Sequence, residues 1–369
     1  MRGPAVQPIV IAAGGTGGHF FPAEALAATL IKRGHRIVLL TDARSGALQS
    51  DVFAGHEVHV LHGAGIAGRG LFKAARAAAS VAAGILQARA ILVGLDAATI
   101  VAFGGYPSVP PILAARLLRR QPVLVLHEQN AVLGRANRFL SRWADFLALG
   151  FGDTARVSAK VDTQFVGNPV RPAIQILAAA AYTPPADTIR LLVTGGSLGA
   201  RVFSDVVPAA LSNLPLELRV RLHVVQQCRA DDVDRVTSAY AESGIHAELS
   251  PFFRNMAERI AAAHLVIARA GASTCAELAV IGRPAILVPL PTAIDDHQAA
   301  NARALIGATM ICQIDFSPTS LCEKLQHMLT HPAELTAAAK SMVACARPPA
   351  AEELADAVEL LIARVGARA

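Results

Sequence analysis

A short apolar strand that empties into a glycine-rich turn and then a helix belongs to few folds, and this chain carries that unit twice. Residues 8–13 are rich in Ile and Val. They are followed by Gly14-Gly15-Thr16-Gly17-Gly18-His19 and by apolar residues at helical spacing over 22–33. Gly34 ends that helix, and 36–41 read as the next strand. About half a chain later, 189–194 form a second apolar run. Gly195-Gly196-Ser197-Leu198-Gly199-Ala200 is its turn, 202–214 its helix and 219–226 the following strand. Strands buried on both faces read as continuous apolar runs, because crossover helices cover the sheet on each side. Two such crossovers predict two similar α/β domains built on parallel sheets.

Further units continue the pattern. Residues 99–103 lead into Gly104-Gly105-Tyr106-Pro107 and a helix, and 123–127 form a strand ending in Glu128-Gln129-Asn130. In the second half, 265–268 precede Gly271-Ala272-Ser273-Thr274 and a helix, and 285–289 end in a polar loop over 292–298. A length of 369 residues fits two domains. With 53% hydrophobic and 17% charged residues there is material for two cores, and disorder is excluded. Proline and glycine punctuate Val166-Gly167-Asn168-Pro169-Val170-Arg171-Pro172, which marks the junction. The reading is a first domain over 1–168 and a second over 169–349, with a C-terminal helix at about 350–369 as a candidate to pack back on the first. Ligands of open parallel sheets gather beyond the carboxyl ends of the strands. Every turn named here follows such an end, so two domains with those ends facing would share one cleft.

The net charge of +6 points to anionic partners, either phosphorylated substrates or an anionic membrane surface. No Lys/Arg-dense tract with interleaved aromatics occurs, which argues against nucleic acid. The five cysteines, at 228, 275, 312, 322 and 345, form no C-x-x-C pair and read as reduced thiols rather than a zinc site. No signal peptide is expected. The uncharged stretch 97–115 is broken by Gly104, Gly105, Pro107, Pro110 and Pro111, so membrane contact is expected to be peripheral. Leu71, Phe72, Lys73, Arg76, Ile85, Leu86 and Arg89 mix apolar and basic residues at loosely helical spacing, as do Leu117, Leu118, Arg119 and Arg120. Such a patch suits an anionic bilayer; an ordinary amphipathic helix with basic edges is the plainer alternative.

Several residues carry candidate chemistry. The Gly14–Gly18 turn lets the backbone approach a phosphate at a helix start, although a tight turn that only packs helix on strand has the same sequence. Asp42, at the end of the second strand, keeps a nicotinamide-binding reading open. His19 stands at the helix start, where the local positive potential disfavours the imidazolium and makes a neutral base plausible. Ser197 adds a hydroxyl to the second turn, as a diphosphate clasp or a plain helix cap. Glu277, about one turn into its helix, suits both ribose hydroxyls; otherwise it is a solvated surface carboxylate. Arg171 can meet a diphosphate, and the segment Asp295-Asp296-His297-Gln298 is placed to line a cleft or only to cap a helix.

Taken in order, the motifs resemble one family. They are Ala13-Gly-Gly-Thr-Gly-Gly-His-Phe-Phe-Pro22, Phe103-Gly-Gly-Tyr-Pro107, His127-Glu-Gln-Asn130, Val166-Gly-Asn-Pro-Val-Arg171, Gly195-Gly-Ser-Leu-Gly-Ala-Arg201 and Asp295-Asp-His-Gln-Ala-Ala-Asn301. This resembles the bacterial undecaprenyldiphospho-muramoylpentapeptide N-acetylglucosaminyltransferases, the MurG family, from about residue 8 to about residue 310. The resemblance implies a GT-B fold of two Rossmann-like domains across a deep cleft. UDP-N-acetylglucosamine (UDP-GlcNAc) would bind the C-terminal domain and a lipid-linked MurNAc-pentapeptide the N-terminal one, at the cytoplasmic face of the plasma membrane, with no cofactor. By the family's pattern Thr16, Gly17, Gly18, Asn130, Arg171, Ser197, Phe253, Ala272, Ser273, Thr274, Cys275, Ala276, Glu277 and Gln298 match donor-binding positions. Phe253 would contribute a backbone contact to uracil, Glu277 the ribose carboxylate and Gln298 a contact near the sugar hydroxyls. Leu198 departs from the Gln frequent in the family's second turn, which removes any side-chain contact from that position. The implied reaction inverts the anomeric carbon, with His19 as candidate base. Other GT-B UDP-sugar transferases, an epimerase, or a non-catalytic sugar-nucleotide binder are the alternatives.

Overall fold

The structure is a computed structural model, and it describes residues 7–14, 17–43, 50–62, 71–196, 199–347 and 349–367. The chain divides into two compact units: one runs up to Arg171 and resumes at Pro349, and the other covers Pro172–Pro348. Among the described residues each unit is built on one parallel sheet.

The first sheet contains β1 (Ile9–Ala12), β2 (Ile37–Thr41), β3 (Glu57–Val60), β4 (Thr99–Ala102), β5 (Val123–Glu128), β6 (Phe146–Leu149) and β7 (Thr163–Phe165). Their order is β3-β2-β1-β4-β5-β6-β7, and every pairing is parallel, Val10 lying between Val38 and Ile100. Side chains alternate across the sheet with period two. Ile9 and Ile11 therefore join a core with Phe20, Leu26 and Leu30 of helix α1 (Gly17–Lys32). Val10 and Ala12 point the other way, into a core with Ala88 and Leu92 of α2 (Leu71–Leu95). Two short helices, α3 (Val109–Ala115) and α4 (Arg135–Leu140), follow β4 and β5. Helix α1 begins five residues before the start read from sequence, so that Pro22 lies inside it. The proline ring forfeits one helical hydrogen bond, and packing of the following turns on the sheet outweighs that loss.

The C-terminal helix, Ala350–Gly366, packs on α1. Leu354, Ala355 and Val358 complete the first core. Arg33 bridges Asp356 at 2.6 Å and Glu359 at 2.8 Å, and His35 Nε2 lies 2.6 Å from Glu359. The apolar contacts carry most of the stabilisation, about 1.5–3 kcal/mol for each large side chain fully buried. The exposed ion pairs add about 0–1 kcal/mol each.

The second sheet repeats the order as β10-β9-β8-β11-β12-β13, all parallel. Its strands are β8 (Ile189–Thr194), β9 (Leu222–Gln227), β10 (His246–Ser250), β11 (Leu265–Ala268), β12 (Ala285–Leu287) and β13 (Ala308–Met310). The helices of this unit are α5 (Pro172–Gln175), α6 (Arg201–Ser212), α7 (Leu216–Arg219), α8 (Val233–Glu242), α9 (Met256–Ala262), α10 (Ala272–Ile281), α11 (His297–Arg303), α12 (Pro318–Thr330) and α13 (Pro332–Cys345). In both sheets the order reverses beside the first strand, between β1 and β4 and between β8 and β11. That reversal opens a crevice at the carboxyl ends, the usual ligand position in such sheets.

Candidate active site

In the first unit the carboxyl ends of β1, β4 and β5 bring three sequence-distant segments together. His19 lies in the first turn of α1, and its Nδ1 is 2.9 Å from the carbonyl oxygen of Phe103, just past β4. Gln129, just past β5, donates from Nε2 to the same oxygen at 2.7 Å. Gly105 (φ 70°) lies against the far edge of the imidazole: a Cβ there would stand 3.3 Å from His19 Cδ2 and Nε2. A side chain at that position would be strained by the positive φ and would press on the ring. Arg171 stacks its guanidinium 4.7 Å from the ring centre of Phe21, on the same helix as His19. Asp42 is buried with its carboxylate against Gly14.

Glu128 is an anchor. One carboxylate oxygen accepts from the Asn130 backbone and side chain, both at 3.0 Å, and the other from Gly134 N at 2.8 Å and Asn137 Nδ2 at 3.0 Å. These bonds occupy the four lone-pair directions of a buried carboxylate and fix the loop that presents Asn130. These bonds tie Glu128 to the loop it holds. His127 is fully buried, and burial pushes its pKa down to about 4, so the ring is neutral. Its Nε2 donates to the Gly167 carbonyl at 3.1 Å, and among the described residues Nδ1 has no partner. His127 thus ties β5 to the segment after β7.

In the second unit the ends of β8, β11 and β12 offer backbone and polar groups instead. A Cβ on Gly195 would come within 2.3 Å of Ala200 N and 2.5 Å of Gly199 C, so the turn after β8 closes only with glycine there. Helices α6 and α10 have Ala200 and Gly271 as N-caps, and neither N-cap contributes a side-chain hydrogen bond. Their first-turn N–H groups carry the helix's partial positive charge. Within α10, Cys275 is buried, which drives its thiol up to about 12, so that side chain is packed inward and only its backbone can meet a ligand. Ala272 is buried, and Ser273, Thr274 and Ala276 are half-buried. Glu277 is only 7% exposed, not the solvated surface carboxylate of the plainer reading. Gln298 Oε1 accepts from Leu290 N at 2.9 Å, which ties its side chain to the end of the strand before it. Phe253 is buried beneath the Arg259 guanidinium, 4.1 Å from the ring centre.

Thr16, Ser197 and Leu198 lie outside the described residues, and Gly17 and Gly18 form the start of α1. Two residues escaped the sequence reading. Gln129 stood inside a quoted motif without a role. Arg269, past β11, donates to the Val288 and Pro289 carbonyls at 3.0 and 3.1 Å and to Gln313 at 2.7 Å, fixing the path of the chain after β12. A lone cation at the end of an apolar strand was the available signal.

Two Rossmann-like units on parallel sheets of one strand order are the GT-B architecture. The chain belongs to glycosyltransferase family 28: residues 9–148 match its N-terminal domain and 190–361 its C-terminal domain. It is 58% identical over 363 residues to the UDP-N-acetylglucosamine--N-acetylmuramyl-(pentapeptide) pyrophosphoryl-undecaprenol N-acetylglucosamine transferase of Granulibacter bethesdensis, covering 97% of this chain and 94% of that one. The enzyme of the same name from Acidiphilium cryptum is 52% identical, covering 98% and 99%. The crystal structure of Acinetobacter baumannii MurG superposes with a TM-score of 0.76 at 30% identity, covering 95% of this chain and 99% of that chain.

Proposed function

We propose that this chain transfers N-acetylglucosamine from UDP-GlcNAc to the C4 hydroxyl of MurNAc in undecaprenyl-pyrophosphoryl-MurNAc-pentapeptide, with inversion, in peptidoglycan synthesis. The observation that carries the reading is the near full-length match to transferases named for that donor and acceptor. The first unit holds the acceptor and the second the donor. The C4 oxygen bonds to the anomeric carbon as the bond from that carbon to the diphosphate oxygen breaks. The bonding electrons leave with UDP, and the hydroxyl proton passes to His19 Nε2. Asn130 and the start of α1 contribute to donor contacts in the first unit. In the second, the start of α6 with Ser197, the Ala272–Glu277 segment and Gln298 contact diphosphate, ribose and sugar, and the Phe253 backbone contacts uracil. Arg171 supplies a cation against the charge that develops on UDP.

The enzyme acts peripherally at the cytoplasmic face of the plasma membrane, on anionic lipid. Helix α2 supports this reading. Leu86 is 66% and Val93 59% exposed, and with Ala79, Ala82, Ala83 and Ala90 they form an apolar stripe carrying Arg89. Residues Ala78–Leu95 are long and apolar enough to cross a membrane. Ala88 and Leu92 are nevertheless locked into the core, so the helix lies along a surface rather than leaving its unit.

UDP release from UDP-GlcNAc, measured with and without a short-chain analogue of the lipid-linked acceptor, tests the reaction. Acceptor-dependent release with a disaccharide product is expected. Donor binding without acceptor-dependent release would overturn it.

A further inference from the structure

Two strand-end segments converge on the Phe103 carbonyl oxygen. His19 Nδ1 lies 2.9 Å from it, Gln129 Nε2 lies 2.7 Å from it, and the two nitrogens are 2.9 Å apart. A carbonyl oxygen has two lone pairs and no proton. It can hold both donors, but it holds an imidazole nitrogen only if that nitrogen carries hydrogen. The carbonyl therefore selects the Nδ1–H tautomer and leaves the basic lone pair on Nε2, the edge that runs past Gly105. Nδ1 keeps its hydrogen before and after Nε2 gains a proton, so no bond on that side must rearrange during turnover.

The Gln129 amide does two things in this cluster. Its bond fixes the direction of the Phe103 carbonyl, which follows the last residue of β4 and precedes two glycines at φ 80° and 70°. Its N–H group also occupies the space beside Nδ1 where a carboxylate would sit in a Ser-His-Asp arrangement. A carboxylate there stabilises imidazolium, whereas an amide donor favours the neutral ring. Gln129 is itself held: it is 2% exposed, and its backbone carbonyl accepts from Asn168 Nδ2 at 2.8 Å.

We propose that Gln129 is the positioning residue of the His19 base, clamping the Phe103 carbonyl so that His19 keeps its hydrogen on Nδ1 and presents Nε2. The proposal rests on the reading of His19 as the base.

The test is nitrogen NMR on the full chain with 15N-labelled histidine, the His19 signals being assigned by their loss in His19→Ala. Wild type is expected to show protonated Nδ1 and unprotonated Nε2. In Gln129→Glu the His19 titration midpoint should rise by about one pH unit or more, and the acid limb of kcat/KM should rise with it. In Gln129→Leu, kcat should fall about tenfold while the KM for UDP-GlcNAc stays within about twofold, and the two tautomers should mix. A wild-type Nε2–H tautomer would overturn the proposal, as would an unmoved midpoint and limb in Gln129→Glu. If neither variant folds, the wild-type tautomer alone decides. The tautomer reading needs no substrate. Absence of acceptor-dependent UDP release would therefore overturn the transferase reading while leaving this result standing. An active enzyme with the wrong tautomer would overturn only the role of Gln129.

Discussion

The two sheets share one strand order and reverse at the same place, yet they furnish their carboxyl ends differently. In the first unit the ends are furnished with clustered polar side chains: His19 and Gln129 donate to one carbonyl oxygen, and Glu128 accepts from Asn130 and Asn137. In the second, the first turns of α6 and α10 start without a capping side chain, and the polar side chains present are tied into the loops that carry them. A prearranged side-chain network suits moving a proton, because it fixes which atom is basic. Backbone N–H groups at helix starts suit holding a diphosphate, because they supply charge complementarity without titrating. The same topology thus carries two different rims.

That contrast can be broken or sharpened by measurement. The largest effect is expected for His19→Ala, which should lower kcat by about 10²–10⁴-fold while calorimetry finds UDP-GlcNAc binding unchanged; a large loss of donor affinity would erase the division between the two rims. Acid should come next. The unfolded chain protonates His127 near pH 6.5 and the folded chain only near 4, so the unfolded state binds more protons between those values. Stability should be fully present above pH 6.5 and decline as pH falls toward 4, by up to about 3 kcal/mol from His127. His264, pushed down to about 4 by burial with Arg190 and Arg283 nearby, shifts the second unit the same way. Urea titrations across that range should report falling midpoints, and a flat profile would contradict the buried, neutral assignment. Glu277→Gln should weaken UDP-GlcNAc binding about tenfold or more with kcat at saturation little changed; a fall in kcat at saturation would give the second rim a part in the chemistry. The smallest effect is expected for Arg89→Ala, about fivefold weaker binding to vesicles containing anionic lipid at low salt. Unchanged partitioning would remove Arg89 from membrane contact.

Much of the fold was legible because it rests on local signals. The glycine turns, the buried central strands and the paired crossovers each declare themselves within about a dozen residues. The strands that escaped reading are short ones away from the sheet centres. Glu57–Val60 and His246–Ser250 carry charged or His residues on solvent-facing positions, and Ala308–Met310 is three residues long. Such strands are specified by their neighbours more than by their own pattern. Within the site, residue types were legible and environments were not. Nothing in the residues around Glu277 says that its helix buries it. The role of Gln129 depends on a carbonyl twenty-six residues away in sequence, and Arg269 acts through carbonyls of the next strand end. Those contacts exist only once the sheet has assembled.

The return of the C-terminal helix to the first unit has a consequence for synthesis. The second unit is one continuous stretch and can fold as soon as it has left the ribosome. The first unit begins earlier and finishes later: the side chains of Leu354, Ala355 and Val358, which close its core beside α1, are made after the whole of the second unit. Until they arrive, the side of α1 that packs on the last helix is uncovered, and Arg33 and His35 lack Asp356 and Glu359. A chain interrupted between the second unit and the last helix therefore has a second unit that is whole and a first unit that is open, so synthesis of that helix doubles as the step that closes the first core.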